Sequence, residues 1–204
     1  MATMRENPQT LRIGGSAGFD FMNTTYVLGS RIEILDSPAA LLQWMVGAEL
    51  ITQSDVAAIE RRLGASGRNR LLADALELRR RLRAMLDVFK EKGPEGIPRE
   101  DIRYLNAILR KGDTPRQVEV HAKRVSLVSH HAWNTVEEVL ALIVASVIET
   151  LRTEKFELIK KCAYEPCHLY FVDETKAHRR TYCSQAICGN RVKQAAFRER
   201  RRTR

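Results

Sequence analysis

The residues best placed to do chemistry in this 204-residue sequence are four cysteines, Cys162, Cys167, Cys183 and Cys188. They form two pairs, each separated by four residues, with fifteen residues between the pairs. Short cysteine pairs joined by a hairpin-sized segment are the pattern by which a chain surrounds zinc. Each pair closes a small loop, and the segment between them folds back to bring the pairs together. Four thiolates satisfy the tetrahedral preference of Zn²⁺ and offset its charge. One structural zinc ion is therefore expected, with no position left open for catalysis. His168 and His178 stand near in sequence, but a complete sulfur shell leaves them no coordination position.

These ligands need elements to hold them. Residues 169–172 read as a strand, 173–178 as a turn and 179–182 as the returning strand. Ser184 follows Cys183 where a helix should begin, so Cys188 lies one turn in. Free backbone N–H groups there stabilise thiolate charge. At about 100° per residue, Cys188, Val192, Ala195 and Ala196 share an inward face. Arg191, Gln194, Arg198 and Arg201 form an outward stripe. Such a stripe suits a nucleic-acid groove, because Arg grips phosphate or reads guanine and Gln reads adenine. Lys193, Arg200 and Arg204 flank it as phosphate contacts, and Lys176, Arg179 and Arg180 on the hairpin face the adjacent backbone. Arg191 has a second option, bracing the hairpin through Asp173. Gly189 and Asn190 read as structural, through close backbone approach and a local hydrogen bond.

Charge placement points the same way. Residues 160–204 hold 12 Lys or Arg against 4 Asp or Glu, whereas residues 1–159 hold 22 against 21. Nearly the whole net charge of +9 is thus confined to the last 45 residues. A local block of that density is an electrostatic footprint for a polyanion; the competing possibility is a solvated basic tail.

Upstream, helical signals dominate. Ser37 and Pro38 form an N-cap and first-turn pair, with Leu41, Leu42, Met45 and Val46 as the apolar face. A short helix over 54–63 closes at Gly64. Leu71, Leu72, Ala75, Leu78, Leu82, Met85, Leu86 and Phe89 define a long helix over 69–92, stopped by Gly93-Pro94. Residues 98–111 give another, ended by Gly112. Val118, Val120, Val125, Leu127 and Val128 then alternate as two strands joined near 122–124. Asn134 and Glu137 suggest a capping box opening a helix to about Arg152. The apolar run Val139 to Ile148 is too short to span a bilayer. Lys160 marks the expected boundary between an N-terminal domain, 1–159, and a C-terminal module, 160–204. Phe19, Phe21 and Met22 fit either a strand or a short helix.

The segment Cys183-Ser184-Gln185-Ala186-Ile187-Cys188-Gly189-Asn190-Arg191-Val192-Lys193 resembles the CGNR zinc-finger family, as do Phe171-Val172-Asp173 and Arg179 to Cys183. Tyr182 stands where the family commonly has Trp, and Lys176-Ala177 where it has an Asn. Gly18-Phe19-Asp20-Phe21-Met22-Asn23-Thr24 is similar to the opening signature of the ABATE domain, the partner domain of that family. The resemblance implies a stress-responsive bacterial transcription regulator, with a mixed α and β N-terminal domain and a treble-clef-like zinc finger. The expected class is α+β, mainly helical, with short hairpins.

DNA is the expected partner, with RNA or the ribosome as the alternative. A zinc-stabilised protein-interaction module and an enzyme with its site in the N-terminal domain complete the range. No Ser-His-Asp pattern, phosphate-binding glycine loop or paired carboxylates stands out, so no catalytic residue is nominated. Specific binding by one small module usually needs two copies, so a homodimer formed by the N-terminal domain is expected. Asp20, Asn23 and Thr24, polar among apolar neighbours, either line a pocket for a small-molecule effector or brace local backbone. His130, His131 and Trp133 read as a packing cluster. Met1 to Asn7 lacks the apolar core of a secretory signal, so a cytoplasmic location with reduced thiols is expected.

Overall fold

A computed structural model describes residues 12–28, 30–121 and 124–202. Its elements run α1 (Ala17–Met22), β1 (Thr25–Leu28), β2 (Ser30–Glu33), α2 (Pro38–Gly47), α3 (Gln53–Lys92), α4 (Arg99–Lys111), β3 (Arg116–His121), β4 (Arg124–Ser129), α5 (Val136–Thr153), β5 (Ile159–Lys161), β6 (Tyr170–Val172) and α6 (Asn190–Arg202). Among the described residues the strands pair as three antiparallel ribbons, β1–β2, β3–β4 and β5–β6. The protein is therefore α+β, mainly helical with short hairpins. It divides into two compact units. One holds Ser37–Ala145; the other joins the described residues up to Asp36 with those from Ser146 onward.

In the unit of Ser37–Ala145, local signals set most helix ends. The Ser37 hydroxyl accepts from the Ala40 N–H at 3.1 Å, with Pro38 in the first turn of α2. Thr52 and Asp55 form a reciprocal capping box at the start of α3. Gly64 adopts φ 61° and ψ −173° inside α3, breaking it into two helical stretches. Its positive φ is strained for an L side chain. Leu71, Ala75, Leu78, Leu82, Met85 and Leu86 form the buried face expected from their spacing, with Leu41, Leu42, Trp44, Met45, Ile59, Leu105 and Ile108 also in the core.

The start of α5 differs from the sequence expectation. Thr135 Oγ1, not Asn134, accepts from the Glu138 N–H at 3.2 Å, and the Glu138 carboxylate accepts from the N–H groups of Trp133 and Asn134. Glu137 instead meets Arg70 at 3.0 Å and Lys111 at 3.5 Å. Trp133, just before the cap, has φ 56°. Trp133 donates its indole N–H to Asp55 at 3.1 Å and stacks on His131 at 4.4 Å, so these residues are a satisfied packing cluster.

The second unit brings distant segments together. The Gly18 N–H donates to Ser146 Oγ at 2.8 Å, and Thr150 Oγ1 donates to Ser16 Oγ at 2.8 Å. Phe19, Phe21 and Met22 of α1 are fully buried with Val147, Ile159, Tyr170, Phe171 and Val172. Val172 donates its N–H to the Gly14 carbonyl at 2.9 Å.

Close approach at Gly112 gives a direct test of the helical unit. A Cβ there would lie 2.6 Å from the Ala141 Cβ and would also overlap the Glu137 carbonyl of α5. Gly112→Ala should lower stability by about 1–3 kcal/mol, read by chemical denaturation; an unchanged midpoint would show that α4 and α5 pack less closely.

Candidate metal centre and basic helix

The metal centre is built on the β5–β6 ribbon, in which Ile159 pairs with Val172, Lys160 with Phe171 and Lys161 with Tyr170. Cys162 and Cys167 sit in the connection between these strands, closed by the Cys162 N–H to the Leu169 carbonyl and the Cys167 N–H to the Tyr164 carbonyl. The expected pairing of 169–172 with 179–182 is corrected here. Residues 179–182 form no strand; the Thr181 carbonyl accepts from the Ala163 N–H at 2.9 Å, and Cys183 follows beside the first knuckle. The apolar run 169–172 is buried, and Ile159, itself buried, pairs with Val172.

Ser184 opens a single π-helical turn, Gln185–Gly189, whose Cys188 and Gly189 N–H groups both reach the Ser184 carbonyl. That turn places Cys188 against the knuckle before α6 begins. The four sulfurs are buried and lie within 4.8 Å of one another. Cys183 Sγ is 3.7 Å from Cys167 Sγ and 3.6 Å from Cys188 Sγ. A sulfur tetrahedron with zinc–sulfur bonds of about 2.3 Å has edges of about 3.8 Å. A disulfide requires about 2.05 Å. The set therefore fits one tetrahedral zinc ion, and neither His168 nor His178 belongs to it. Without a cation the four sulfurs cannot all ionise. Cys162 is held far below the ordinary thiol range by hydrogen bonds from Cys167, Cys183 and Cys188. Contact with Cys162, then burial, drives Cys183 and Cys188 far above it. A divalent ion removes that conflict by neutralising the thiolates.

Asp173 organises the loop between the cysteine pairs. It is fully buried, and its carboxylate accepts from Lys160 Nζ at 2.5 Å, the Arg180 N–H at 2.9 Å, and the Thr175 N–H and hydroxyl at 3.1 and 2.5 Å. Burial opposes ionisation, but these bonds outweigh it and hold the carboxyl well below the usual carboxylate range. Lys160 also donates to the carbonyls of His178 and Arg180. Sequence reasoning did not single out Lys160 for this role.

Residues 159–201 match the model of the CGNR zinc finger, and residues 15–154 match that of ABATE, described as "Putative stress-induced transcription regulator". The chain belongs to the ABATE family. It carries a CGNR zinc finger whose four cysteines can bind one zinc ion. No match is found among curated proteins. Among the described residues, no helix is long and apolar enough to cross a membrane.

The three polar residues of the ABATE signature are engaged with backbone. Asp20 accepts from the N–H groups of Ile13 and Gly14 at 2.8 and 2.6 Å. Asn23 makes a two-way bond with Tyr170, donating to its carbonyl at 2.7 Å and accepting from its N–H at 3.0 Å. The Thr24 hydroxyl donates to the Phe21 carbonyl at 2.7 Å. All three side chains are buried and engaged with backbone, the bracing alternative expected of them. Asn23 thereby fastens the end of α1 to the strand that follows the first cysteine pair.

The basic residues separate into two groups. Arg180 belongs to the framework: its guanidinium donates to the carbonyls of Tyr182 and Cys183 and lies 4.2 Å from the Phe171 ring centroid. Arg191 does not brace Asp173, whose oxygens are taken; it sits half-buried with its guanidinium 6.0 Å from the Tyr164 ring centroid. Asn190 donates to the Ala186 carbonyl at 3.1 Å, the local bond expected of it. Gly189 is packed under the Gln185 side chain. Lys176, Arg179, Lys193, Gln194, Arg198, Arg200 and Arg201 are exposed. Ala195 and Ala196 are exposed too, against the expected inward face, because α6 has no buried residue. Phe197, passed over in sequence because helical periodicity alone assigns it no partner, is 56% exposed and lies 5.8 Å from the Arg201 guanidinium.

Two tests follow from this geometry. Elemental analysis of reduced protein should give one zinc per chain. Chelation should speed amide exchange across 14–24 as well as 159–189, because Asn23 and Gly14 are fastened to β6, while 71–86 stays protected. Exchange confined to 159–189 would show that the N-terminal signature holds its place without the metal. The second test concerns Asp20, whose carboxyl burial pushes up to about 6 against the opposing bonds from Gly14 and Ile13. A raised acid contributes stability that is full below its unfolded value near 4 and lost as pH climbs to about 6. Asp20→Asn keeps an acceptor for both N–H groups, so it should stabilise the protein at pH 7 by on the order of 2 kcal/mol. Thermal melts between pH 4 and 7 should show the decline in the parent protein and a flatter profile in the variant; parallel profiles would refute the assignment.

Proposed function

We propose that this ABATE-family protein is a zinc-dependent DNA-binding transcription regulator that acts in the cytoplasm, with α6 as its reading element. The observation that carries the proposal is the exposure of α6 from Lys193 onward, which leaves a buried sulfur cluster bearing Lys193, Gln194, Arg198, Arg200 and Arg201. A helix with no buried side chain has no packing role of its own. Its root, however, is held by Cys188 and the π-helical turn. A rigidly rooted, cationic, solvent-facing helix is suited to a major groove.

In this scheme Gln194 and Arg198, on one face, approach base edges, while Lys193, Arg200 and Arg201 contact phosphates. Lys176 and Arg179 grip the adjacent strand, and Arg191 contributes positive potential at the helix root. The zinc ion supplies no reaction chemistry; it fixes the fold, and the protein works as a binding protein rather than an enzyme. The regulatory wording of the family description supports this assignment. Two copies would raise the weak affinity expected of one module, roughly 10⁻⁴ to 10⁻⁶ M for non-specific contacts. RNA is the second candidate partner, and one observation favours it: Phe197 is exposed among Lys193, Gln194 and Arg198, and an aromatic in a basic surface can stack an unpaired base.

Selection from random duplex DNA should return an enriched sequence motif, with binding abolished by chelation. Replacing Lys193, Arg200 and Arg201 by Ala should reduce the salt slope of log affinity by roughly 0.9 per lost phosphate contact, close to 3 in all. Arg198→Ala should relax one base position. An unenriched pool together with tight binding to structured RNA that Phe197→Ala weakens would replace DNA by RNA as the partner.

A further inference from the structure

The β3–β4 ribbon carries an apolar face that nothing among the described residues covers. Its register sets Val118 opposite Leu127 and Val120 opposite Val125. Period-2 alternation puts all four side chains on one face. They are 69%, 61%, 67% and 72% exposed respectively. Arg116 and Ser129, paired at the base of the ribbon, close that face with polar groups. The opposite face holds Gln117, Glu119, Ser126 and Val128, and Glu119 is engaged there by His130 at 2.9 Å. One side of the ribbon is therefore polar and locally satisfied, and the other is a four-residue aliphatic patch in water.

We infer that this patch is the interface between two copies of this chain, the β3–β4 ribbons packing face to face about a twofold axis. The inference rests on, and gives a surface to, the homodimer in the function proposed above. Three arguments select a second copy. First, a lone two-stranded ribbon is at best marginally stable in water, so its cover must be present whenever the protein is folded. A second copy is the partner that always accompanies the chain. Second, the patch has no charge within it, so its complement must be equally uncharged and ribbed at strand spacing. An identical pleated face meets both conditions, with side chains interdigitating across roughly 10 Å as in packed sheets. Third, the area is adequate for the core of an interface. Four aliphatic side chains this exposed present roughly 400 Å² per copy, the size of the largest apolar patch on a typical protein, which is often functional. That is about half of the roughly 800 Å² per partner of a stable interface, and the polar rim supplies the remainder. A twofold contact uses the same patch on both copies and closes upon itself, so it yields a dimer and not a filament.

The test is the oligomeric state of the full zinc-loaded chain, measured by sedimentation equilibrium at micromolar concentration. The parent protein should be a dimer. Leu127→Glu should be a monomer, and Ser126→Glu, one residue away on the polar face, should remain a dimer. Circular dichroism and zinc content should match in all three. Leu127→Thr introduces a β-branched residue suited to a strand and serves if the Glu variant does not fold; it should raise the dimer dissociation constant about tenfold or more. A parent protein that sediments as a monomer overturns both this interface and the homodimer, without touching zinc-dependent nucleic-acid binding. A parent dimer that persists in folded Leu127→Glu and Leu127→Thr overturns the interface alone, leaving the homodimer to another surface.

Discussion

Closure of four buried sulfurs around one cation is the constraint from which the C-terminal architecture follows. Cys162 and Cys167 sit in the β5–β6 connection, Cys183 at the end of the returning loop and Cys188 in the π-helical turn. Each of these segments is short, and a three-residue strand pair has little stability of its own. Thiolates 3.6 to 3.7 Å apart are unfavourable without a positive charge between them. The metal converts that repulsion into a cross-link among three segments. The consequence reaches α6, which has no fully buried residue and is rooted in the turn that precedes it.

Hydrogen bonds add a second layer of constraint around the sulfurs. Asp173 gathers Lys160, Thr175 and Arg180 into one buried network, and Arg180 spans from Phe171 to the carbonyls of Tyr182 and Cys183. Two of the charged residues nearest the metal thus hold its loop in shape. The two-way bond between Asn23 and Tyr170 ties the N-terminal signature into the same framework. The division drawn by family resemblance and the division drawn by packing do not coincide. The ABATE match covers 15–154, yet the described residues up to Asp36 pack with those from Ser146 onward. The zinc finger accordingly shares a core with the start of the chain: Phe19, Phe21 and Met22 are buried together with Tyr170, Phe171 and Val172.

The unit of Ser37–Ala145 follows a simpler logic. Amphipathic helices with strong stop signals bury one stripe each, and Gly64 and Gly112 permit a break and a close approach that a side chain would prevent. The β3–β4 ribbon is the exception, since its regular alternation is not matched by burial.

By itself the sequence determined the zinc ligands, the basic block and most helix boundaries. These depend on local spacing: two cysteine pairs, a run of Arg, an apolar period of three to four, and a cap such as Ser37. What only the tertiary structure decided depends on partners far away in the chain. Asn23 could not be assigned to backbone bracing before Tyr170, 147 residues distant, was placed beside it. The strand at 170–172 pairs with 159–161 and not with 179–182, whose Arg180 instead lies over the Phe171 ring. Ala195 and Ala196 share the helical phase of Cys188, but phase says nothing of whether any surface lies opposite. Periodicity names the face a residue occupies; only the assembled core tells whether that face is buried, bonded or left to water.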